Sequence, residues 1–339
     1  RPIKEKIVIP SKLILDKKEL FEIIDNIKDD EIVGFDTETT SLNRDKEIVG
    51  FSFAFGKQAF YVPINHFYLG VPQQIYLEDA LKAIQKLFKK KIVGHNLKFD
   101  LELVYKYGIP KIKPLMDTMI LAWIIDPDKK VSVDNLSKRY LNHEMIKFKD
   151  TVKKGENFSS VDLESASKYA SEDAYITLKL YHKLMEKLSW DIIDEVKNIE
   201  LPFIDILMEI ESKGISIDLK YFKELEIKME NKLKILTQKI YQLAGEQFNI
   251  NSPKQLANIL FEKLGLPAKK KTKTGYSTNE TVLNSLKQYE IVQHLLEYRE
   301  LFKLQSTYIK PLQEYGKNGK VYTSFLQTGT ATGRLSSKN

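Results

Sequence analysis

Short strands, then helices interleaved with them, then a long helical run: this order predicts an α/β domain followed by a mainly helical one. Three observations carry the prediction. Residues 31–64 break into three short β-branched or aromatic segments separated by polar turns. From 163 onward apolar residues recur at helical spacing. The charge also changes between the halves: residues 1–200 hold 32 Lys and Arg against 32 Asp and Glu, whereas 201–339 hold 21 against 14 and carry the whole net charge of +7. A neutral half beside a basic one fits a polyanion gripped mainly by the second, although a lysine-rich solvated surface has the same composition.

The strands are EIVGFDTE, EIVGFSFAFG and QAFYVPI. Amphipathic spacing then predicts helices over about 78–90 and 97–107, with KIVGHN between them as a short buried strand. Leu115 to Ile125 is apolar enough for a buried helix, and 126–160 is irregular, with Asp126-Pro127-Asp128 and Lys154-Gly155 as turn signals. Helix is expected from 163 through Trp190, closing a first domain at 1–190. Residues 192–247 form long amphipathic runs interrupted by a turn and strand at 213–218. Ser252 and Pro253 open a further helix as N-cap and first helical residue. KKKTKTGYST (269–278) has loop chemistry, 279–313 is helical again and 320–327 suits a strand.

At 339 residues, 42% hydrophobic and 29% charged, this is ordinary globular composition with length for two domains. No stretch approaches the roughly 20 apolar residues that would span a bilayer. The absence of Cys excludes a disulfide framework and a thiolate zinc site. Arg1 is not an initiator Met and no signal-peptide pattern follows it, so the amino end is expected to be trimmed.

The chemistry lies in three acidic stretches. In GFDTETT, Asp36 and Glu38 are two apart in a strand and point to the same face, with Thr37 on the other. Two such carboxylates repel unless a cation lies between them, and hard divalent ions take oxygen ligands of this kind. In YASEDAYIT, Tyr169 and Asp173 are one helical turn apart and share a face. GHNLKFD ends in Asp100, at the start of a helix that follows a buried strand. Carboxylates and a phenol converging on one cleft suit phosphodiester hydrolysis by two metal ions, with no histidine or serine nucleophile.

Together the three stretches resemble the exonuclease motifs of the 3′–5′ proofreading domain of family A DNA polymerases, in the variant with tyrosine in the third motif. The resemblance implies a ribonuclease H-like fold, a mixed sheet with helices. It implies that Asp36, Glu38 and Asp173 share one Mg²⁺, that Asp36 also meets a second, and that Asp100 acts partly through water. Mn²⁺ is expected to substitute. Tyr169 would position the nucleophilic water. Leu42, Asn96 and Phe158 would bind the single-stranded 3′ end, Leu42 and Phe158 against bases and Asn96 by hydrogen bonding. His95 stands where the best-known member has glutamine, which leaves that contact open.

The second half resembles the thumb of the same family and then, at TSFLQTGTATGRLSS, the start of its palm. By this resemblance residues 191–320 are a helical thumb and 321–339 the beginning of a palm. Lys269, Lys270, Lys271 and Lys273 would meet duplex backbone, Arg299 and Lys303 would lie near the primer–template, and Thr330 and Arg334 near the primer terminus. The family's nucleotidyl-transfer carboxylates and nucleotide-binding helix follow the point where TATGRLSSKN stops, so this chain by itself is expected to edit DNA and not to polymerise it. The resemblance implies a monomer with DNA as partner, in the cytoplasm at a bacterial-type nucleoid, with an organelle or a phage-infected cell as the alternatives. A free-standing exoribonuclease and a non-catalytic DNA-binding module are the competing readings.

Overall fold

The computed structural model describes residues 7–267, 271–272, 275–316 and 318–338, with the backbone alone at 271–272. Its contacts divide the chain into two compact units, Arg1–Ser212 with Ser324–Asn339, and Lys213–Thr323.

The first unit is built on a six-stranded mixed sheet in the order β1-β4-β3-β2-β5-β6. Its strands are β1 (Ser11–Leu13), β2 (Ile32–Thr39), β3 (Ile48–Phe55), β4 (Gln58–Pro63), β5 (Lys91–Gly94) and β6 (Met116–Asp117). β2, β3 and β4 form an antiparallel meander, while β1 runs parallel to β4 and β5 and β6 continue parallel from β2. The three strands read from sequence lie within two residues of their expected ends. β1 and the helix after it, α1 (Lys17–Asp25), were not expected. Asp16 caps α1 by accepting the Glu19 amide at 2.8 Å.

Helices α2 (Leu77–Leu87) and α3 (Leu97–Lys106) flank β5 as the spacing predicts. The apolar run from Leu115 differs from the expected uninterrupted helix. Met116–Asp117 pairs with β5 as β6, and only then does α4 (Thr118–Ile125) begin, capped by Asp117. The irregular stretch holds two short helices, α5 (Val133–Leu136) and α6 (Phe148–Thr151). Asp162 then caps the 23-residue α7 (Leu163–Met185), accepting the Ser165 amide at 2.9 Å. Helices α8 (Trp190–Glu195) and α9 (Leu201–Lys213) follow.

Close packing of α7 on β2 depends on Gly34. A Cβ there would lie 2.4 Å from the Ala174 carbonyl oxygen, so only glycine admits the helix at this distance. The contact sets Asp173, the neighbour of Ala174, against Asp36 two residues along β2. The β2–β3 register shifts between Glu38 and Thr39, a bulge that ends regular pairing just beyond the acidic pair.

The second unit is helical, with β7 (Ile215–Ser216) paired to β10 (Lys320–Val321) and a small β8 (Lys271–Thr272) and β9 (Gly275–Tyr276) ribbon. Its core joins α10 (Leu219–Ala244), α11 (Pro253–Ala257), α12 (Glu280–Asn284) and α13 (Glu290–Leu304), before α14 (Lys310–Tyr315). Ser252 caps α11 with Pro253 in its first turn, as the sequence predicts. The chain then rejoins the first unit as the antiparallel pair β11 (Ser324–Leu326) and β12 (Ser336–Lys338). Three attachments hold that hairpin. Lys98 Nζ donates to the Phe325 carbonyl at 2.6 Å, while Glu211 pairs with Lys98 and accepts the Phe325 amide at 2.6 Å. Gln327 donates to the Glu200 carbonyl, and Trp123 Nε1 donates to the Thr330 carbonyl at 2.8 Å. Among the described residues no helix is long and apolar enough to cross a membrane.

Candidate active site

Three elements deliver the carboxylates. β2 presents Asp36 and Glu38 on one face, α7 brings Asp173 against them, and α3 carries Asp100. Ligand oxygens of Asp36, Glu38 and Asp173 all lie within 4.8 Å of one another. Glu38 is 7% exposed, and its Oε1 has no hydrogen-bond partner among the described residues.

A buried carboxylate oxygen without a donor costs roughly 1–3 kcal/mol or more, which a coordinated cation relieves. Electrostatics agree with the geometry. Burial, then the charge of Asp173, holds the Asp36 carboxyl well above the usual range. Burial, then Asp36, Asp173 and Asp100, does the same to Glu38. Asp173 is pushed up to about 8 by burial and by the charges of Glu172 and Asp134, against a hydrogen bond from the Tyr169 hydroxyl. Crowded, desolvated, acceptor-only groups of this kind fit a divalent cation.

Asp100 is 2% exposed and stands at the edge of this group. Its Oδ1 accepts the Thr37 amide at 3.0 Å and the Thr37 hydroxyl at 2.5 Å, locking α3 to β2 between Asp36 and Glu38. Burial and the charge of Asp36 raise its pKa too. Tyr169 lies one turn before Asp173, and burial with the neighbouring carboxylates drives its phenol well above 10, so it stays protonated.

The expected 3′-end residues differ in exposure and surroundings. Leu42 is 80% exposed, on the loop after β2. Asn96 takes the left-handed conformation (φ 62°) and donates its amide to Asp117, so its side chain is not spent on capping α3. His95 Nδ1 lies 2.9 Å from the Thr118 hydroxyl, and burial lowers its pKa to about 4, keeping the ring neutral. Phe158 departs from its expected role of stacking on a frayed end. It is 1% exposed, packed among Tyr61, His66 and Tyr169, because the turn at 158–160 points it into a small second core. The exposed ring beside Tyr169 is Phe148, half-exposed and edge-on at 6.2 Å.

Two further acidic residues escaped the sequence reading. Asp117 is buried and accepts the amides of Asn96 (3.1 Å), Leu97 (2.7 Å) and Met119 (2.8 Å), thereby fixing the turn that launches α3 and Asp100. An isolated Asp in an apolar run was its only signal. Glu172, next to Asp173, is buried with His143.

Of the proposed duplex contacts, Lys269, Lys270 and Lys273 lie outside the described residues, and Lys271 begins β8. In the second unit Arg299 lines a groove of about 1200 Å³ with Ser252, Lys254 and Asn279, and its guanidinium donates to the Thr278 carbonyl at 2.5 Å. Lys303 is exposed on α13. In the first unit the Thr330 hydroxyl donates to the Arg334 carbonyl at 2.6 Å, and Arg334 is exposed.

Comparison with known proteins agrees with this architecture. Residues 12–189 match the family model described as 3′–5′ exonuclease, and residues 219–339 match DNA polymerase family A. DNA polymerase I of Borreliella burgdorferi is 39% identical, over 96% of this chain and 36% of that protein. DNA polymerase I of Pseudomonas aeruginosa is 35% identical, over 96% of this chain and 38% of that protein. The solved POL domain of Pol1 from M. smegmatis, in complex with DNA primer-template and dNTP, superposes with a TM-score of 0.77 at 25% identity, covering 96% of this chain and 54% of its own. The chain thus spans little more than a third of the length of these two curated relatives. More than half of it matches a single family model, and the chain belongs to the 3′–5′ exonuclease family, joined to sequence of DNA polymerase family A.

Proposed function

We propose that this chain removes nucleotides from the 3′ end of DNA by metal-dependent hydrolysis and edits for a family A DNA polymerase. The observation that carries the reading is the group of Asp36, Glu38 and Asp173 oxygens within 4.8 Å, with Glu38 Oε1 unpartnered. These three residues would hold Mg²⁺, with Asp36 and Asp100 facing a second ion and Mn²⁺ able to substitute. Bound ions of this kind lower the pKa of a water and stabilise the leaving 3′ oxygen.

The chain's own residues do the rest. Tyr169, held protonated one helical turn before Asp173, accepts a hydrogen bond from the attacking water and aims it at phosphorus. As the water oxygen bonds to phosphorus, the bond to the 3′ oxygen breaks, leaving a nucleoside 5′-monophosphate and a new 3′ hydroxyl. Asp100 keeps β2 and α3 in register through Thr37. Leu42 and Phe148 offer exposed apolar surface to the terminal bases, Asn96 a polar group, and Phe158 backs Tyr169.

In this reading residues 1–190 are the exonuclease, 191–320 the thumb and 321–339 the start of the palm. The thumb's lysines, Arg299 and Lys303 meet duplex backbone, and Thr330 and Arg334 the primer terminus. In this reading the protein acts on DNA as a monomer in the cytoplasm.

The test is digestion of a 3′-labelled single strand with Mg²⁺. Asp36→Ala with Glu38→Ala should abolish it, and full residual activity would refute the site. Matched DNA and RNA oligonucleotides should show preference for DNA. Preference for RNA would favour a free-standing exoribonuclease, and no cleavage with no Mn²⁺ binding in calorimetry would favour a binding module.

A further inference from the structure

The irregular stretch before α7 carries the one exposed aromatic ring seen against Tyr169, and the structure places a buried ionisable pair beneath it. Glu172 and His143 are respectively 4% and 3% exposed at their side chains, and His143 Nε2 donates to Glu172 Oε1 at 2.7 Å. The other carboxylate oxygen accepts the Ile146 amide at 2.6 Å. Glu172 therefore turns away from the metal-facing group, although its neighbour Asp173 belongs to it.

His143 is itself fixed. Asn142, in the left-handed conformation (φ 53°), ends the preceding helical turn; the His143 amide donates to the Ser137 carbonyl at 3.3 Å, and the Ser137 hydroxyl donates to the His143 carbonyl at 3.0 Å. His143 Nδ1 has no partner among the described residues, so Glu172 is the one polar anchor seen for this ring. Two residues beyond Ile146, Phe148 begins α6 and sets its half-exposed ring edge-on to Tyr169. At the far end of α6, Val152 is buried in the cluster that contains Phe158. The segment is thus pinned at both ends, by a buried hydrogen-bonded pair before Phe148 and by apolar packing after it.

We infer that Glu172 and His143 form a positioning pair that holds Phe148 over Tyr169 and so fixes where the terminal base of a single-stranded 3′ end stacks. This rests on the exonuclease reading. A buried carboxylate that already accepts a histidine N–H and a backbone amide has no capacity to spare for substrate. Its work is done through the loop, on where the strand lies and not on bond cleavage.

The experiment compares Phe148→Ala, Glu172→Ala, the double variant and Glu172→Gln on a single-stranded DNA with 2-aminopurine as its 3′-terminal base. Stacking is read from fluorescence quenching in EDTA, and hydrolysis separately with Mg²⁺. Phe148→Ala should lose the quenching and raise KM roughly tenfold. Glu172→Ala should do likewise, with kcat changed less than about twofold. The double variant should be no worse than Phe148→Ala, and Glu172→Gln, which retains an acceptor for the Ile146 amide, should recover most of the quenching. Additive effects in the double variant, or a Glu172→Ala that loses kcat with quenching intact, overturn the inference. Should Glu172→Ala melt below the assay temperature, His143→Ala, which spares the Ile146 bond, carries the same comparison. Failure of the unaltered protein to digest the strand with Mg²⁺ overturns the exonuclease reading, whereas digestion with unquenched fluorescence overturns only the placement of the base.

Discussion

Replacing Asp173 by Asn should make the metal-free protein more stable at pH 8. Ligand oxygens of three carboxylates within 4.8 Å repel by about 3.5 kcal/mol per ionised pair at an effective dielectric of roughly 20. The cluster escapes part of that repulsion by taking up protons, and Asp173, at about 8, is half ionised at that pH. A carboxyl raised from the ordinary range to about 8 costs the fold up to about 5 kcal/mol at pH 8, and roughly 2–3 once water at the cleft's open side is counted. Asn keeps the shape and an acceptor for the Tyr169 hydroxyl while removing the charge. For a unit of this size about 2–3 kcal/mol raises the melting temperature by about 5–10 °C. Calorimetry in EDTA at pH 8 should record that rise, and the difference should shrink as pH falls and vanish only below about pH 4, where the carboxyl is protonated in the unfolded chain as well. With Mg²⁺ at roughly a thousand times its Kd the order should reverse, because the unaltered protein gains about 4.1 kcal/mol that the variant cannot. A variant that melts at or below the unaltered protein in EDTA, or that keeps the full Mg²⁺ gain, would refute the shared-cation argument.

Other consequences are as direct. Because the folded-state pKa values of Asp36, Glu38 and Asp173 are raised, stability in EDTA should be fullest at low pH and fall as pH rises through about 8; a chelated protein growing more stable across that window would contradict it. Tyr169→Phe should slow hydrolysis on the order of tenfold while leaving the Mg²⁺-induced rise in melting temperature intact, read by single-turnover kinetics beside calorimetry. Gly34→Ala forces a Cβ to 2.4 Å from the Ala174 carbonyl, and urea denaturation should show a loss of about 1–3 kcal/mol with a weakened response to Mg²⁺. Asp117→Asn sets an N–H donor against one of three backbone amides and should cost about 1–3 kcal/mol in the same assay.

The carboxylate group was legible because it obeys local periods. Alternation along a strand puts Asp36 and Glu38 on one face, and a helical turn links Tyr169 to Asp173. What escaped depends on contacts distant in sequence. Glu172 meets His143 across 29 residues, and nothing in YASEDAYIT separates its two adjacent acids by role. Phe148 and Phe158 both sit in a stretch without periodicity, so sequence could not tell which ring faces the cleft. The apolar run from Leu115 read as one helix because hydrophobicity alone does not distinguish a two-residue buried strand from a first helical turn, and Asp117, the N-cap between them, was the overlooked boundary mark.

The contact at Gly34 has a bearing on how the site answers to its surroundings. A spacing set by rotamers would drift with temperature or solvent, each side chain swinging to relieve its own repulsion. Here main chain of β2 rests against main chain of α7, so the backbones that carry Asp36 and Asp173 cannot draw closer or be re-spaced by repacking at Gly34. Proton uptake and cation capture therefore act on a carboxylate pair whose scaffold stays in place, so the cleft answers ionic conditions through its charges more than through its backbone.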